Sequence, residues 1–252
     1  MKEAKKPITP GDEFRISGGG SCVVIEYHGY DKILIEHQDR YRHRDIVESS
    51  QLRSGKVKNP YQKTTFGVGF FGCGPNKASV NGKMTPAYKT WRNMMRRAYC
   101  SEFQAETPTY DGCSVADEWH DFQAFAEWYY GQPNNSIAGF DLDKDLTIIG
   151  NKSYSSKSCS ILPKDINTLL MDCGSRRGSL PQGVSFSKEK GLYLAQVKID
   201  GATRYIGRFS DPAEAREAYV KSKTSNIRRV AEKYRPVLPP DVYENLVSWT
   251  LS

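Results

Sequence analysis

Residues 183–209 read GVSFSKEKGLYLAQVKIDGATRYIGRF, and residues 211–219 read DPAEAREAY. Apolar and polar side chains alternate in three short runs of the first segment, which places them on opposite faces of three strands. We expect a three-stranded antiparallel sheet covered by a helix from Pro212 to about Tyr234. The face predicted to pack holds Val184, Phe186, Tyr193, Ala195, Val197 and Ile206.

The opposite face of this sheet is predicted to be polar and cationic. A small sheet of this kind can enter the major groove of DNA. Side chains two residues apart on a strand share a face, so Arg204 is predicted to lie on the same side as Ile206 and Arg208. We expect the two arginines to reach phosphates from the edge of the sheet while Tyr205 contacts a base. An ordinary hairpin with a solvated face is the alternative. The candidate DNA-binding residues are Gln182, Ser185, Ser187, Lys188, Lys190, Gln196, Lys198, Arg204, Tyr205 and Arg208.

A family pattern runs through the same segment. Its members are Gly183-Val184, Tyr193, Ala195, Val197, Tyr205, Gly207, Phe209, Ala213-Glu214-Ala215 and Ala218-Tyr219. The pattern resembles the plant ethylene-response-factor (Apetala-two) DNA-binding domain, a form also found in bacteriophage homing endonucleases. The resemblance implies double-stranded DNA as the partner. Several Arg and Trp positions that contact DNA in the plant domains are Gln182, Ser185, Ser187 and Tyr205 here, so the base preference of those domains is not expected.

Charge is concentrated in the same part of the chain. The net charge is +7, and residues 173–252 hold 14 basic and 8 acidic side chains. Residues 1–75 hold 12 and 9, and residues 76–172 hold 10 and 12. Because neutralised phosphates give affinity without sequence information, this distribution predicts salt-sensitive DNA binding. A basic surface that serves only solubility is the alternative.

Length and composition bound the class of protein. A chain of 252 residues is expected to hold two or three domains, here 1–75, 76–172 and 173–252. No apolar run approaches the ~18–20 residues of a membrane span, and no apolar segment follows the basic start, so neither a membrane partner nor a signal peptide is expected. Six scattered cysteines without a Cys-x-x-Cys pair argue against zinc and for reduced thiols in a cytoplasm.

Residues 11–60 are predicted to form a small β unit, and residues 61–85 a glycine-rich linker on the surface. Cys22–Tyr27 and Lys32–His37 read as two strands of a hairpin. The segment Arg40–Arg44 interleaves cations with an aromatic ring and a histidine, which suits either phosphate and base contacts or a charged edge strand. A protein-docking role for the first 75 residues is a further alternative.

The middle unit begins with a helix after Thr85-Pro86, the favoured cap and first position. Trp91, Met94 and Met95 are expected in the core, while Arg92, Arg96 and Arg97 lie mainly on the other side and meet either phosphates or solvent. A second helix is predicted near Ala116 to Tyr130. A strand, a turn, a strand and a helix follow over residues 140–171, so the fold class is α+β.

A second family pattern covers this middle unit. Its members are Trp91, Met94, Arg97, Cys100, Val115, Trp119, Phe122, Leu142-Asp143-Lys144-Asp145, Gly150-Asn151, Tyr154-Ser155, Cys159 and Asn167. The pattern resembles a bacteriophage branch of the HNH (ββα-metal) homing endonucleases. The resemblance implies Asp143 and Asn167 as magnesium ligands, since magnesium prefers hard oxygen donors. It places Lys144 at the position of the histidine that deprotonates water, and Ser158 near the position that orients it.

The chain has Lys144 where the HNH pattern has its catalytic histidine, and this difference leaves two functional hypotheses. A lysine has a reference pKa of about 10.4 and is a poor base at neutral pH. Lys144, His120 and Asp145 are the candidate catalytic residues, with His120 reaching in from the preceding helix. The chain is then either a magnesium-dependent DNA endonuclease or a DNA-binding, regulatory protein on a nuclease scaffold that no longer cuts. It is expected in the host cytoplasm if phage-encoded, with magnesium only if it is a nuclease.

Overall fold

A computed structural model describes residues 6–135, 139–144, 151–170 and 179–250. Contacts divide the chain into two compact units. The first unit comprises residues 1–111 and 115–127, and the second comprises 112–114 and 128–252. The finer division into three domains stays a prediction. None of the helices in the described ranges is both long and apolar enough to cross a bilayer.

The first unit opens with a four-stranded antiparallel sheet, which confirms the predicted β unit. Its strands run in the order β1-β2-β3-β4 and precede a short helix. The bounds are Glu13–Arg15 for β1, Ser21–Tyr27 for β2, Ile33–His37 for β3, Arg44–Val47 for β4 and Ser49–Ser54 for α1. Because side chains alternate along each strand, one face supplies a closed apolar core. That core holds Ile8, Ile16, Cys22, Val24, Ile33, Ile35, Val47, Leu52 and Val57.

The predicted linker is not a simple surface segment, and this expectation was wrong. Phe70 is 4% exposed, and the backbone of Gly69 packs so closely on Trp91 that a Cβ there would lie 2.8 Å from the indole. Glycine therefore serves close packing here rather than flexibility. The same segment ends in an exposed hairpin, β5 (Ser79–Val80) and β6 (Lys83–Met84).

Helix α2 (Pro86–Tyr99) starts where the sequence predicts. The Thr85 hydroxyl accepts the Tyr88 N–H at 3.3 Å, and Trp91 donates its indole N–H to the Trp119 carbonyl at 2.7 Å. The buried side chains are Ala87, Trp91, Met94, Met95 and Ala98. The elements that follow are α3 (Ser101–Glu106), β7 (Ser114–Val115) and α4 (Phe122–Gly131).

Helix α4 begins later than the predicted Ala116. Phe70 donates its N–H to the His120 carbonyl at 2.9 Å, and Phe122 donates to the Phe70 carbonyl at 3.0 Å. This bridge holds the chain extended at Asp121, where a continuous helix would have run. Only a 3₁₀ turn over Asp117–His120 precedes it.

Within the described ranges, the second unit contains an antiparallel strand pair, a three-stranded antiparallel sheet, a short strand that pairs with β7, and the helices that follow them. Strands β8 and β10 pair with each other, and β11, β12 and β13 form the predicted three-stranded sheet. The bounds are Phe140–Asp143 for β8, Ser153–Tyr154 for β9, Ser160–Pro163 for β10, Lys164–Leu170 for α5, Val184–Ser187 for β11, Leu192–Ile199 for β12, Ala202–Phe209 for β13, Pro212–Tyr234 for α6 and Pro240–Val247 for α7.

Helix α6 belongs to two packing regions. Its first half covers the three-stranded sheet, where Tyr219 lies against the backbone of Gly183. Its second half joins one apolar cluster with β10, α5 and α7. The cluster holds Leu162, Ile166, Leu169, Ile227, Val230, Ala231, Leu238, Val242 and Leu246. The β8–β10–α5 segment and the carboxyl-terminal sheet are therefore fastened to the same helix.

Candidate nucleic-acid interface

The hairpin between β12 and β13 fixes the register of the carboxyl-terminal sheet. Ile199 pairs with Ala202, so the loop has two residues, Asp200 and Gly201. Their φ angles are 51° and 81°, and positive φ at both positions is typical of the type I′ turn, whose twist matches a hairpin. The Asp-Gly pair in the sequence favours this turn.

One face of the sheet is covered by α6. Directly opposed residues share a face, so the pair Val184–Ala195 and the pair Phe186–Tyr193 lie together. Ala195 and Val197 are buried, as predicted. Phe186, predicted to pack, is 47% exposed and makes a tilted ring contact with Tyr193 at 5.0 Å, because it lies near the end of the short edge strand β11.

We call the opposite surface the open face. Gln196 pairs with Tyr205, Leu194 with Arg208, and Lys198 with Thr203. Each pair lies on the side away from α6, because the neighbouring pairs hold the buried Ala195 and Val197. The residues of the open face are Ser185, Ser187, Leu192, Leu194, Gln196, Lys198, Thr203, Tyr205 and Arg208.

A β-bulge changes which arginine belongs to this face. Ala195 pairs with Gly207 but Gln196 pairs with Tyr205, so Ile206 is an extra residue in β13. The bulge reverses the side-chain alternation. Arg208 therefore joins Tyr205, with its guanidinium carbon 5.9 Å from the ring centroid, while Arg204 pairs with Val197 on the helix side. The prediction that Arg204 and Arg208 lie on the same face of the sheet is therefore wrong. The sequence did contain an indication of this bulge, namely Gly207, because a glycine inside a strand often marks one.

The cations of the sheet are exposed. Lys188, Lys190, Lys198, Arg204 and Arg208 are all exposed, and none has an ion-pair partner within the described residues. Lys188 and Lys190 lie in the turn that links β11 to β12. Ser185, Gln196 and Tyr205 are exposed between these cations, whereas Gln182 and Ser187 are half-buried. The surface thus offers positive charge, hydrogen-bonding groups and an aromatic ring to a partner.

The β8–β10–α5 segment places the two candidate metal ligands on a strand and a helix. Asp143 ends β8 opposite Ser160 of β10, and Asn167 lies in α5, directly after β10. The Oδ1 atom of Asn167 is buried and has no hydrogen-bond partner in the part of the chain that the structure describes. A buried carbonyl oxygen without a hydrogen-bond partner is costly in a folded protein, and an ordered water or a bound ion can satisfy it.

Magnesium fits these two donors by type. A carboxylate and an amide oxygen are hard ligands, and magnesium is commonly held by one or two carboxylates together with waters and phosphate oxygens. Among the described residues no three His, Cys, Asp or Glu side chains converge in a metal-binding group. The pair Asp143 and Asn167 would therefore need substrate phosphate and water to complete a magnesium shell.

The Lys144 ammonium is held by the backbone carbonyl of Asn151. Lys144 is 8% exposed, and its ammonium donates to the Asn151 carbonyl at 2.6 Å and lies 5.8 Å from the Tyr154 ring centroid. The Asn151 amide donates back to the Lys144 carbonyl at 2.9 Å. Because this ammonium already donates to a backbone carbonyl, it is engaged as a hydrogen-bond donor, which opposes a role as general base. The candidate Asp145 lies outside the described residues.

The other two candidate positions are also engaged. The Ser158 hydroxyl donates to the Ser153 carbonyl at 2.9 Å, inside a turn. His120 lies in the first unit, where Nε2 is 3.1 Å from both the Tyr99 hydroxyl and the Val115 carbonyl. Asp143 and Asn167 lie in the second unit. The described contacts of His120 are therefore local to the first unit, its catalytic role stays a prediction, and the sequence holds no histidine after it.

Two buried thiols belong to the core. Burial raises the pKa of Cys159 to about 12 and that of Cys22 to about 11, so both stay protonated at neutral pH. A thiol rather than a thiolate is a poor nucleophile and a poor metal ligand. Cys159, part of the family pattern, therefore packs rather than reacts.

The Arg40–Arg44 segment is held by its own unit. Arg42 and Arg44 both pair with Glu36, and the Arg44 Nε–Glu36 Oε2 distance is 2.9 Å. Tyr41 stacks on Tyr61 with ring centroids 4.2 Å apart. These contacts favour the charged edge strand over phosphate and base contacts.

Glu36 is expected to make the stability of the first unit depend on pH. Hydrogen bonding from Arg44 lowers the pKa of Glu36, so its stabilising effect is present above the ordinary glutamate pKa and is lost as pH falls through the lowered value. Glu36→Gln should lower the melting temperature at pH 7, and the gap to the unmodified chain should close toward pH 3. Melting curves at both pH values check this, and a gap that stays constant would contradict it.

Comparison of the chain with protein-family models, with curated proteins and with solved structures gives no match.

Proposed function

We propose that the chain binds double-stranded DNA by laying the open face of its carboxyl-terminal sheet in the major groove. One observation carries the proposal: Lys198, Tyr205 and Arg208 lie together, exposed, on the face away from α6. A two- to three-stranded sheet is narrow enough for the major groove, and its backbone is held rigid by the helix behind it. Lys188 and Lys190 then lie at one end of the face, where they would meet phosphates.

The proposal is tested by titrating a fluorescently labelled 24-base-pair duplex with the full chain. Anisotropy should rise with protein, and the logarithm of the affinity should fall linearly with the logarithm of salt concentration. The sheet lysines Lys188, Lys190 and Lys198 alone correspond to a slope of about −3, since each phosphate neutralised contributes about −0.9. No anisotropy change at 25 mM salt would contradict the proposal. We place this activity in a cytoplasm, the host's if the chain is phage-encoded.

A second candidate function is magnesium-dependent cleavage of the DNA backbone by a degenerate HNH-like ββα segment. The unpaired Oδ1 of Asn167, on the helix that follows the β8–β10 pair carrying Asp143, favours it. A bound magnesium would supply charge stabilisation at the scissile phosphate. The Lys144–Asn151 bond opposes it, because the histidine position then offers no base. DNA binding is therefore our preferred proposal for the function, and cleavage is the second candidate.

Replacement of Asp143 tests the cleavage proposal directly. Supercoiled plasmid incubated with the chain and magnesium or manganese should be nicked, and Asp143→Asn should slow nicking at least 100-fold, because it removes the charged ligand while leaving side-chain size unchanged. Asp141→Asn serves as the control, since Asp141 is an exposed residue of the same strand. Plasmid that stays supercoiled with the unmodified chain in both metals would exclude the second candidate and leave the first.

A further inference from the structure

The longest acid-free part of the sequence lies in the first unit. Residues 49–101 contain no Asp or Glu, although the chain has 29 of them. The same segment holds ten cations: Arg53, Lys56, Lys58, Lys63, Lys77, Lys83, Lys89, Arg92, Arg96 and Arg97. The net charge of each predicted domain does not reveal this cationic segment, because acidic residues lie before residue 49 and after residue 101 and offset its charge in the sum. Blocks of one charge sign are typical of surfaces that meet a partner of the opposite sign.

Helix α2 arranges three of these cations in one line. Lys89, Arg92 and Arg96 follow the spacing i, i+3, i+7, which places them on one face of a helix. All three are exposed, whereas Trp91, Met94 and Met95 are buried on the other face. We call this line the α2 ridge. At a rise of about 1.5 Å per residue it is about 10 Å long, a length over which duplex DNA presents about six phosphates.

The ridge is not neutralised by the protein itself. Within the described ranges the side chains of Lys89 and Arg92 have neither a hydrogen-bond nor an ion-pair partner, and the Arg96 guanidinium lies over the Phe103 ring at 4.4 Å. An acidic side chain three or four residues away on the same helix would partly neutralise such a cation. Helix α2 contains no Asp or Glu, so no carboxylate within the helix offsets these charges.

The β5–β6 hairpin extends the ridge at the start of the helix. Asn81 and Gly82 form its two-residue turn, with φ of 51° and 73°. Thr85 fastens the hairpin to the helix, because its hydroxyl donates to the Lys77 carbonyl at 2.9 Å while capping α2. Lys77 and Lys83 are exposed, and so are Val80 and Met84 at 52% and 51%. An exposed hairpin with cationic and apolar side chains is suited to contact with a large partner.

We infer that the α2 ridge and its hairpin form a second DNA-binding surface, one that grips the phosphate backbone of duplex DNA without reading sequence. The inference rests on the proposed function for the identity of the polyanion. It adds a contact in the first unit to the sheet in the second, so each unit holds DNA by its own surface. Backbone contacts of this kind raise affinity and the salt slope but leave base preference unchanged.

The test compares two double variants that each remove two positive charges from the first unit. Lys89→Gln/Arg92→Gln should weaken binding of the 24-base-pair duplex about tenfold at 100 mM salt and reduce the salt slope by about 2. The control Lys32→Gln/Lys56→Gln changes exposed lysines off the ridge and should stay within about twofold of the unmodified chain. Circular dichroism of each variant checks that α2 is intact.

The outcomes separate this inference from the proposed function. Equal losses in both double variants, or no loss in either, would overturn the α2 ridge while leaving the sheet in place. Loss of binding in the α2 variant, with full binding kept by Lys198→Ala/Arg208→Ala, would support the ridge and overturn the sheet. An unmodified chain that ignores duplex DNA at 25 mM salt would overturn both.

Discussion

Replacing Lys198 and Arg208 together with alanine is expected to weaken duplex DNA binding about 100-fold at 100 mM salt. Both side chains lie on the open face, on neighbouring strands β12 and β13. An arginine in contact with a base contributes about 1–3 kcal/mol, and a lysine on a phosphate reduces the salt slope by about 1. At about 1.4 kcal/mol per tenfold, the two losses together correspond to about two orders of magnitude.

Arg204 provides the matched control for this experiment. It lies on the same strand as Arg208, carries the same charge and is also exposed, but the bulge at Ile206 places it on the helix side. Arg204→Ala should therefore cost less than about threefold, and Arg208→Ala alone should cost about tenfold or more. Anisotropy titrations of the three variants over 50–200 mM salt measure the difference. Equal losses for Arg204→Ala and Arg208→Ala would show that only total charge matters, and the groove assignment would fail.

The bulge also shows where strand periodicity stops being predictive. Alternation correctly assigned Ala195 and Val197 to the core and Gln196 and Lys198 to the open face, because β12 is regular on its own. The face of Arg208 depends on how β13 pairs with β12, and a single extra residue reverses the assignment. Pairing is a property of two strands, so counting along one strand cannot reveal it.

Two other differences have the same origin in tertiary contacts. The start of α4 is set by the bridge between Phe70 and Asp121, residues about fifty positions apart. The glycine-rich segment packs because Gly69 lies against Trp91 of α2. Local propensity predicts a helix from Ala116 and a loose linker, and both expectations give way to long-range partners.

The candidate metal segment was predicted in part. Sequence pattern placed Asp143 on a strand and Asn167 on the following helix, and the structure has β8, β10 and α5 in that order. It did not foresee the hydrogen bond from Lys144 to the Asn151 carbonyl, since that contact joins residues seven positions apart. Nor did it foresee the unpaired Oδ1 of Asn167, which depends on burial.

Gly183→Ala is expected to cost the second unit about 2–5 kcal/mol of its free energy of unfolding, combining backbone strain and overpacking. The φ angle of Gly183 is 80°, and a Cβ there would lie 2.0 Å from Cδ2 of Tyr219. Tyr219 cannot easily retreat, because it is 5% exposed and Arg216 lies over its ring at 5.5 Å while donating to the Gln182 carbonyl. Urea unfolding followed by circular dichroism measures the loss.

Gly191→Ala separates the two causes of this loss. Gly191 has a φ of 63° and lies in the turn between β11 and β12, but no atom lies within 4 Å of its added Cβ. Its replacement should therefore cost only the backbone term of about 1 kcal/mol. Because the Gly183 carbonyl also accepts the Gln196 N–H at 2.9 Å, displacing Gly183 pulls β11 away from β12 and should weaken DNA binding as well. Equal losses of stability for the two glycine variants would mean that Tyr219 moves aside and that the helix–sheet contact does not fix the open face.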